Sequence, residues 1–395
     1  MPMLISLLLA WALPSPGIGA RPFDERAGFV TLLGRDTVAL ESFERGANRV
    51  EGDIVLRIPG TVRFHYRVEL GADGSLARTV MEMHPLGLGA LPERRVTLVL
   101  TRDSVRETVD SAGQRRVAMH AAAPGMVALF MTGFGASYGL YNSIGMYELA
   151  LARSPAGGPD TMRVNAIDPL TARVSRRRFV RRSPTAVDAD YFGIAWNHLT
   201  LDADGRILAV DASETTEKTM SARTGAIDVS GAARAFAARD RNGSGLGMAS
   251  PNTSVSARVG GQLVAITYGS PRRRARAILG AVVPYDRVWR TGANEATALV
   301  TDRDLDVGGV RVPAGAYTLW TIPHRDAVEL VINRQHGQWG TSYDSTQDLG
   351  RVRMKTSVAR TPVENLAITL DGTDRARELR IAWDTFVWSV PVTVR

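Results

Sequence analysis

Between residues 50 and 110 apolar and polar side chains alternate with a period of two. Val50, Gly52, Ile54, Leu56 and Ile58 share one face, opposite Glu51, Asp53 and Arg57. Pro59-Gly60 turns the chain, and Val62, Phe64, Tyr66, Val68 and Leu70 then alternate with Arg63, His65, Arg67 and Glu69. Successive side chains of a strand point to opposite faces, so the pattern predicts half-buried antiparallel strands. Asp73-Gly74 supplies the next turn, and Asp202-Ala203-Asp204-Gly205 signals another hairpin between two apolar runs. No regular alternation of strand and helix appears, which argues against a doubly wound parallel sheet.

Two stretches interrupt this pattern. Residues 121–147 carry no charge, and their length would suffice for a membrane span. Pro124, Asn142 and several glycines oppose a stable spanning helix, so we expect a buried helix or helical hairpin covering the concave side of the sheet. Contact of this stretch with lipid or an apolar ligand is the alternative. From Thr224 to Gly261 the composition shifts to Gly, Ala and Ser, which predicts a flexible linker with one short helix, Gly231 to Arg239. The expected organisation is a signal peptide over 1–20, an antiparallel β domain over 21–225, a linker over 226–250 and a second domain over 251–395. The fold class is all-β and mainly antiparallel: a curved N-terminal sheet with a buried helical segment, then a compact C-terminal β-sandwich.

Composition narrows the function classes. The first twenty residues carry no charged side chain, and Met3 to Leu13 has the length of a signal-peptide apolar region. Pro14-Ser15-Pro16-Gly17 breaks that run, and Ile18-Gly19-Ala20 offers small residues for cleavage before Arg21. The expected location is therefore periplasmic or secreted, with membrane association only through an uncleaved signal segment. The absence of cysteine excludes a lipobox anchor, disulfides, a thiolate nucleophile and cysteine–zinc sites. Net charge is +8 and almost all of it is arginine, Lys218 and Lys355 being the only lysines. Acidic residues are interleaved throughout and no nucleic-acid fold signature accompanies the charge, so no nucleic-acid partner is expected.

Candidate chemistry is sparse. Gly135-Ala136-Ser137-Tyr138-Gly139 matches the G-x-S-x-G nucleophile elbow, with His198 and Asp168 or Asp190 following in suitable order. That motif needs a strand-to-helix turn above a parallel sheet, whereas this region reads as antiparallel and uncharged. The six histidines show no metal spacing, and the glycine-rich pieces lack the strand and basic residue of a phosphate cradle. No cofactor or metal is expected. Asp188 and Asp190 near His198 are the remaining, weaker metal candidates.

The segment Trp289-Arg290-Thr291-Gly292-Ala293-Asn294-Glu295 differs in kind. Arginine offers planar donors suited to a carboxylate, Asn294 can donate and accept, and Trp289 offers a stacking face. Gln338-Trp339-Gly340-Thr341-Ser342-Tyr343-Asp344 has a similar mixture and is expected to form an opposing lip. The ligand-site reading takes Trp289, Arg290, Asn294, Glu295, Tyr343 and Asp344. The structural alternative pairs Arg290 with Glu295 to pin the loop, with Trp289 in the core. Arg272 to Arg276 reads as a solvated charged turn, with an anion site as the alternative.

These residues also carry a resemblance. Val283 to Thr297, Tyr268-Gly269-Ser270-Pro271, Val312-Pro313-Ala314-Gly315-Ala316-Tyr317, Gly337 to Asp344, Asp348 and Trp383-Asp384 resemble domain-of-unknown-function family 2911 over about the last third of the chain. Ala275 departs from it, standing where the basic run of the family has glycine, and so leaves the backbone bend there without its usual residue. The resemblance implies an extracytoplasmic all-β domain with no assigned activity. Taken together, the sequence favours a non-enzymatic envelope or secreted binding protein whose partner is a small molecule, a glycan or an envelope component. A hydrolase acting on cell-envelope material through Ser137, and a structural or assembly role, are the alternatives.

Overall fold

The computed structural model describes residues 25–87, 92–130, 143–152, 160–191, 193 and 195–394. The all-β expectation holds, with 59% of the described residues in strands and 7% in helices. A fifteen-stranded sheet occupies the first part of the chain. One meander runs outward from Glu25–Leu33 to the edge strand Gln114–Ala121, and a second runs back from the opposite edge, Val127–Ala128, to Met220–Thr224. The first and last strands meet mid-sheet, with Phe29 opposite Arg223. Neighbours are antiparallel except Val127–Ala128 against Thr161–Ile167. The sheet curls, and the Leu76 amide donates to the Met126 carbonyl beside the far edge at 3.1 Å.

The alternation along residues 50–70 becomes one hairpin, Arg49–Leu56 with Val62–Leu70, in which Ile54 faces Phe64 and Gly52 faces Tyr66. Their inward side chains join Phe29, Phe43, Met81 and Leu98 in one continuous core. Inside that curve lies helix α1, Ile144–Leu151, with every residue buried. A helix buried on all sides needs no polar stripe, which is why no amphipathic pattern announced it. It is shorter than the expected hairpin and begins only at the end of the uncharged stretch; residues 131–142 lie outside the described residues. Two buried carboxylates fix its position. Glu41 accepts hydrogen bonds from Tyr66 Oη at 2.6 Å, Ser143 Oγ at 2.7 Å and the Ile144 amide at 2.8 Å, so it serves the open N–H groups of the helix start. Glu148 on α1 accepts from the Ile207 amide at 2.7 Å and from Arg223 at 2.6 Å. No helix among the described residues is long and apolar enough to cross a membrane.

The C-terminal part is a sandwich. A six-stranded sheet spans Asn252–Val259 to Asp348–Arg353, and a four-stranded sheet is built on the hairpin Lys355–Thr373 with Ala376–Val394. Ile266, Leu319 and Ile332 of the first sheet share a core with Ile368, Ile381 and Trp388 of the second.

The Gly/Ala/Ser-rich stretch between the sheets is not an open tether, contrary to expectation. It contains helix α2, Val229–Arg241, whose Val229 and Ala233 pack on Leu40 and Val55 of the large sheet. Asp240 accepts from the Thr61 amide at 2.7 Å, and Leu246 and Ala249 lie on Leu33, Val38 and Ile58. The basic run is likewise no solvated turn. Arg274 is 2% exposed and pairs with Asp36 of the large sheet, while its carbonyl accepts from the Arg35 amide at 3.2 Å. Burial of an arginine requires a partner, and the partner comes from a residue 238 positions away. Arg274 and Ala275 have φ of 51° and 59°, so the bend where the family has glycine is made by Ala275 all the same.

Candidate functional site

The loop after Val288 is pinned mainly by its backbone. The Trp289 amide donates to the Thr321 carbonyl at 2.8 Å, and the Thr321 amide returns the bond at 2.9 Å. Thr297 Oγ1 donates to the Thr291 carbonyl at 3.0 Å, and the Gly340 amide to the Asn294 carbonyl at 3.0 Å. Two glycines allow this closeness. A Cβ on Gly269 would overlap the Ala293 carbonyl, whose amide donates to the Gly269 carbonyl at 3.1 Å. A Cβ on Gly340 would fall onto the methylenes of Arg290 and within 2.5 Å of the Asn294 carbonyl. Gly340 is therefore the seat of the Arg290 side chain.

The structural reading of this loop holds for Trp289 but not for the expected pairing of Arg290 with Glu295. Trp289 is in the core, 9% exposed, stacked on Trp383 at 6.0 Å and edge-on to Trp388 at 6.4 Å. Arg290 and Glu295, however, form no ion pair among the described residues, and Glu295 is exposed. Arg290 Nε is buried with no hydrogen-bond partner. Burial lowers the pKa of its guanidinium, with Tyr191 opposing that shift.

Arg290 lies on a cavity of ≈ 300 Å³ between the two parts of the chain. The C-terminal side supplies Trp289, Arg290, Arg276, Tyr343 and Trp383; the N-terminal side supplies the loop Glu214 to Lys218. That loop is shaped by Thr215 Oγ1, which donates to the Ala212 carbonyl at 2.8 Å and accepts from the Glu217 amide at 3.1 Å. Lys218 takes φ of 57° and donates from Nζ to the Ser213 carbonyl at 2.8 Å. Burial lowers its pKa, and the charges of Arg290 and Arg276 lower it further. Arg276 donates from Nε and Nη2 to the Arg273 and Arg272 carbonyls at 3.0 and 2.6 Å, and burial brings its pKa down to about 10. Lys218 is thus repelled by both arginines, and all three cations line the one cavity.

The acidic residues offset them only in part. Glu214 is largely exposed and lies 3.4 Å from His198, which Asp188 also holds at 2.7 Å. Burial alone would lower the His198 pKa; its hydrogen bonds to the two carboxylates raise it. Glu217 is fully buried, and burial pushes its carboxyl up to about 8, so it is mostly protonated at neutral pH. Tyr343 forms part of the opposite wall, its ring 5.0 Å from Trp320 and its hydroxyl donating to Asp348 at 2.8 Å. Burial and Asp348 push that phenol up to about 12.

Of the six residues expected at the site, the cavity gathers Trp289, Arg290 and Tyr343. Asn294, with φ of 65°, turns its amide to the Ser250 carbonyl at 3.4 Å. Asp344 caps the turn Ser345–Gln347, accepting from the Thr346 amide at 2.9 Å, and Glu295 faces solvent. Lys218 and Glu217 escaped the sequence reading because they come from the other half of the chain. One signal was there: Lys218 is one of two lysines in a chain that otherwise uses arginine. Ser137 lies outside the described residues, and the carboxylates on His198 are Asp188 and Glu214, not Asp168 or Asp190. Asp188 is also bound by Arg182 at 2.6 Å, and Asp168 caps its own turn at the Leu170 amide.

No curated protein matches the chain. A crystal structure of a DUF1089 family protein from Pseudomonas aeruginosa is similar at a TM-score of 0.31 and 13% identity, over 51% of this chain and 95% of that chain, too distant a likeness to bear on function. The family model for Protein of unknown function (DUF2911) matches residues 250–392, so the sandwich, the Trp289–Glu295 loop and the Arg290 seat at Gly340 all fall within the part of the chain that carries this family's pattern.

Proposed function

We propose that the protein is an exported, non-enzymatic binding protein that captures a small molecule in the cavity between the large sheet and the sandwich. The observation that carries this reading is Arg290. Its guanidinium Nε is buried without a partner and its side chain borders the cavity beside two further cations. Arg274 also has a buried Nε without a hydrogen-bond partner, but it is ion-paired with Asp36, whereas Arg290 forms no ion pair among the described residues. Concave sites with a few convergent polar groups on apolar walls are the common form of small-molecule pockets, and ≈ 300 Å³ is at their small end. Export is supported by the uncharged first twenty residues and the small residues before Arg21. No observation among the described residues favours the hydrolase reading.

Native mass spectrometry of the protein isolated from its own cells tests the binding reading. A bound small molecule is expected in the wild type and absent from Arg290→Met. An unliganded wild type, or equal occupancy in the variant, would count against it. N-terminal sequencing of the same sample tests export: mature chains should begin near Arg21, and an intact Met1 on a soluble cytoplasmic product would contradict it.

A further inference from the structure

We propose that the ligand is a compact anion bearing at least two negative charges, of the polycarboxylate or phosphate-ester class, and that it bridges the large sheet to the sandwich. The inference rests on the binding reading above and adds the chemistry of the occupant. Lys218 comes from the large sheet, whereas Arg276 and Arg290 come from the sandwich, and all three line one cavity. Their positions are held rather than free. Lys218 is tied to the Ser213 carbonyl, Arg276 to the Arg272 and Arg273 carbonyls, and Arg290 is seated against Gly340. Flexible surface cations relax away from one another; these are anchored facing the same space.

Countercharge from the protein is incomplete. Glu214 is the one ionised carboxylate lining the cavity, and it shares its charge with His198. Glu217 lines the same space but is held mostly neutral by burial. Glu364 and Asp36 act on Arg276 from outside the lining, so Lys218 and Arg290 are the two positive charges left chiefly to the occupant. Arg290 and Arg276 present N–H groups suited to carboxylate or phosphate oxygens, and Lys218 acts as a point charge. Trp289, Trp320 and Trp383 back part of the wall with apolar rings, and the lower local dielectric there strengthens charge pairing. A neutral sugar would leave the repulsion in place, and a polymer would not fit ≈ 300 Å³.

The test is isothermal titration of the full mature chain at fixed ionic strength with citrate, inorganic pyrophosphate, benzoate and glucose. Citrate or pyrophosphate should bind at least ten-fold tighter than benzoate, and which of the two binds separates the carboxylate from the phosphate source. Lys218→Gln and Arg290→Met should each weaken that binding ten-fold or more. Glu214→Gln should tighten it several-fold, a gain that misfolding cannot produce. Hydrogen exchange with the tighter anion should slow together at residues 214–218 and 289–294. Dianions binding no better than benzoate, affinity unchanged in the cation variants, or slowed exchange on one side alone would overturn the proposal. If mass spectrometry finds a neutral molecule lost in Arg290→Met, the binding reading stands and this inference falls. If no molecule binds the cavity, both fall.

Discussion

Replacing Arg290 separates a binding cation from a structural clasp. If Arg290 were one half of a buried ion pair, its removal would leave an uncompensated charge and cost on the order of 3–5 kcal/mol. Among the described residues there is no such pair: Glu295 is exposed, Arg290 Nε is buried without a hydrogen-bond partner, and Lys218 is a like-charged neighbour. An unsatisfied buried donor costs about 1–3 kcal/mol. Methionine keeps the methylenes that lie against Gly340 while removing the donor and the charge. Offsetting imperfect repacking, Arg290→Met should stabilise the ligand-free protein by about 1–2 kcal/mol, or roughly 2–8 °C in Tm at 2–4 °C per kcal/mol for a domain of this order of size. Glu295→Ala should stay within about 0.5 kcal/mol of wild type. The assay is thermal unfolding followed by circular dichroism, on protein refolded from denaturant to strip any bound molecule. A loss beyond about 3 kcal/mol in Arg290→Met, or beyond about 1 kcal/mol in Glu295→Ala, twice the tolerance for an exposed site, would restore the clasp and refute the reasoning.

Three further outcomes follow from the same structure. Ala275 sits at φ of 59°, where glycine is unstrained, so Ala275→Gly should raise stability by up to about 1 kcal/mol in a denaturant titration; a loss would mean the methyl group does something the bend does not require. Glu217 has its folded-state pKa raised to about 8 from an ordinary 4.5, so the folded chain holds a proton the unfolded chain releases. Its contribution is fully present below pH 4.5 and is lost as pH rises toward 8, by at most about 1.4 kcal/mol per pH unit, so Glu217→Gln should gain on wild type progressively across that window; parallel stability curves would contradict the assignment. Glu41→Leu should cost about 3–5 kcal/mol in chemical denaturation, because Tyr66, Ser143 and the Ile144 amide lose a charged acceptor in a buried site, and a cost under about 1 kcal/mol, that of an ordinary surface change, would show that α1 is held by other contacts.

Local pattern carried the strands well. The residues from Val50 to Leu70 alternate because one face of that hairpin meets the core, and the structure pairs them as the alternation implies, Ile54 with Phe64. Asp202 marks the turn between Ala195–Leu201 and Ile207–Asp211, accepting from the Asp204 and Arg206 amides at 2.9 Å. What local pattern could not carry is contact between distant parts. Arg274 reads as solvated until Asp36 is brought to it, and the start of α1 has no sequence signal for the Glu41 carboxylate that serves it from 103 positions away. The site divides along the same line. Arg290 and Tyr343 were legible because their own segments concentrate polar groups beside glycines, whereas Asn294 and Asp344 in those segments turned out to serve backbone turns. Lys218 and Glu217 stand on a loop whose neighbours give no hint that a sandwich beginning at Asn252 will close over it.

The most direct test is a crystal structure of the protein isolated from its own cells without denaturation or ligand exchange. The account predicts density for a small anion in contact with Lys218, Arg276 and Arg290, with Glu295 still facing solvent. A cavity holding only water, or a Glu295 carboxylate turned in to pair with Arg290, would contradict it.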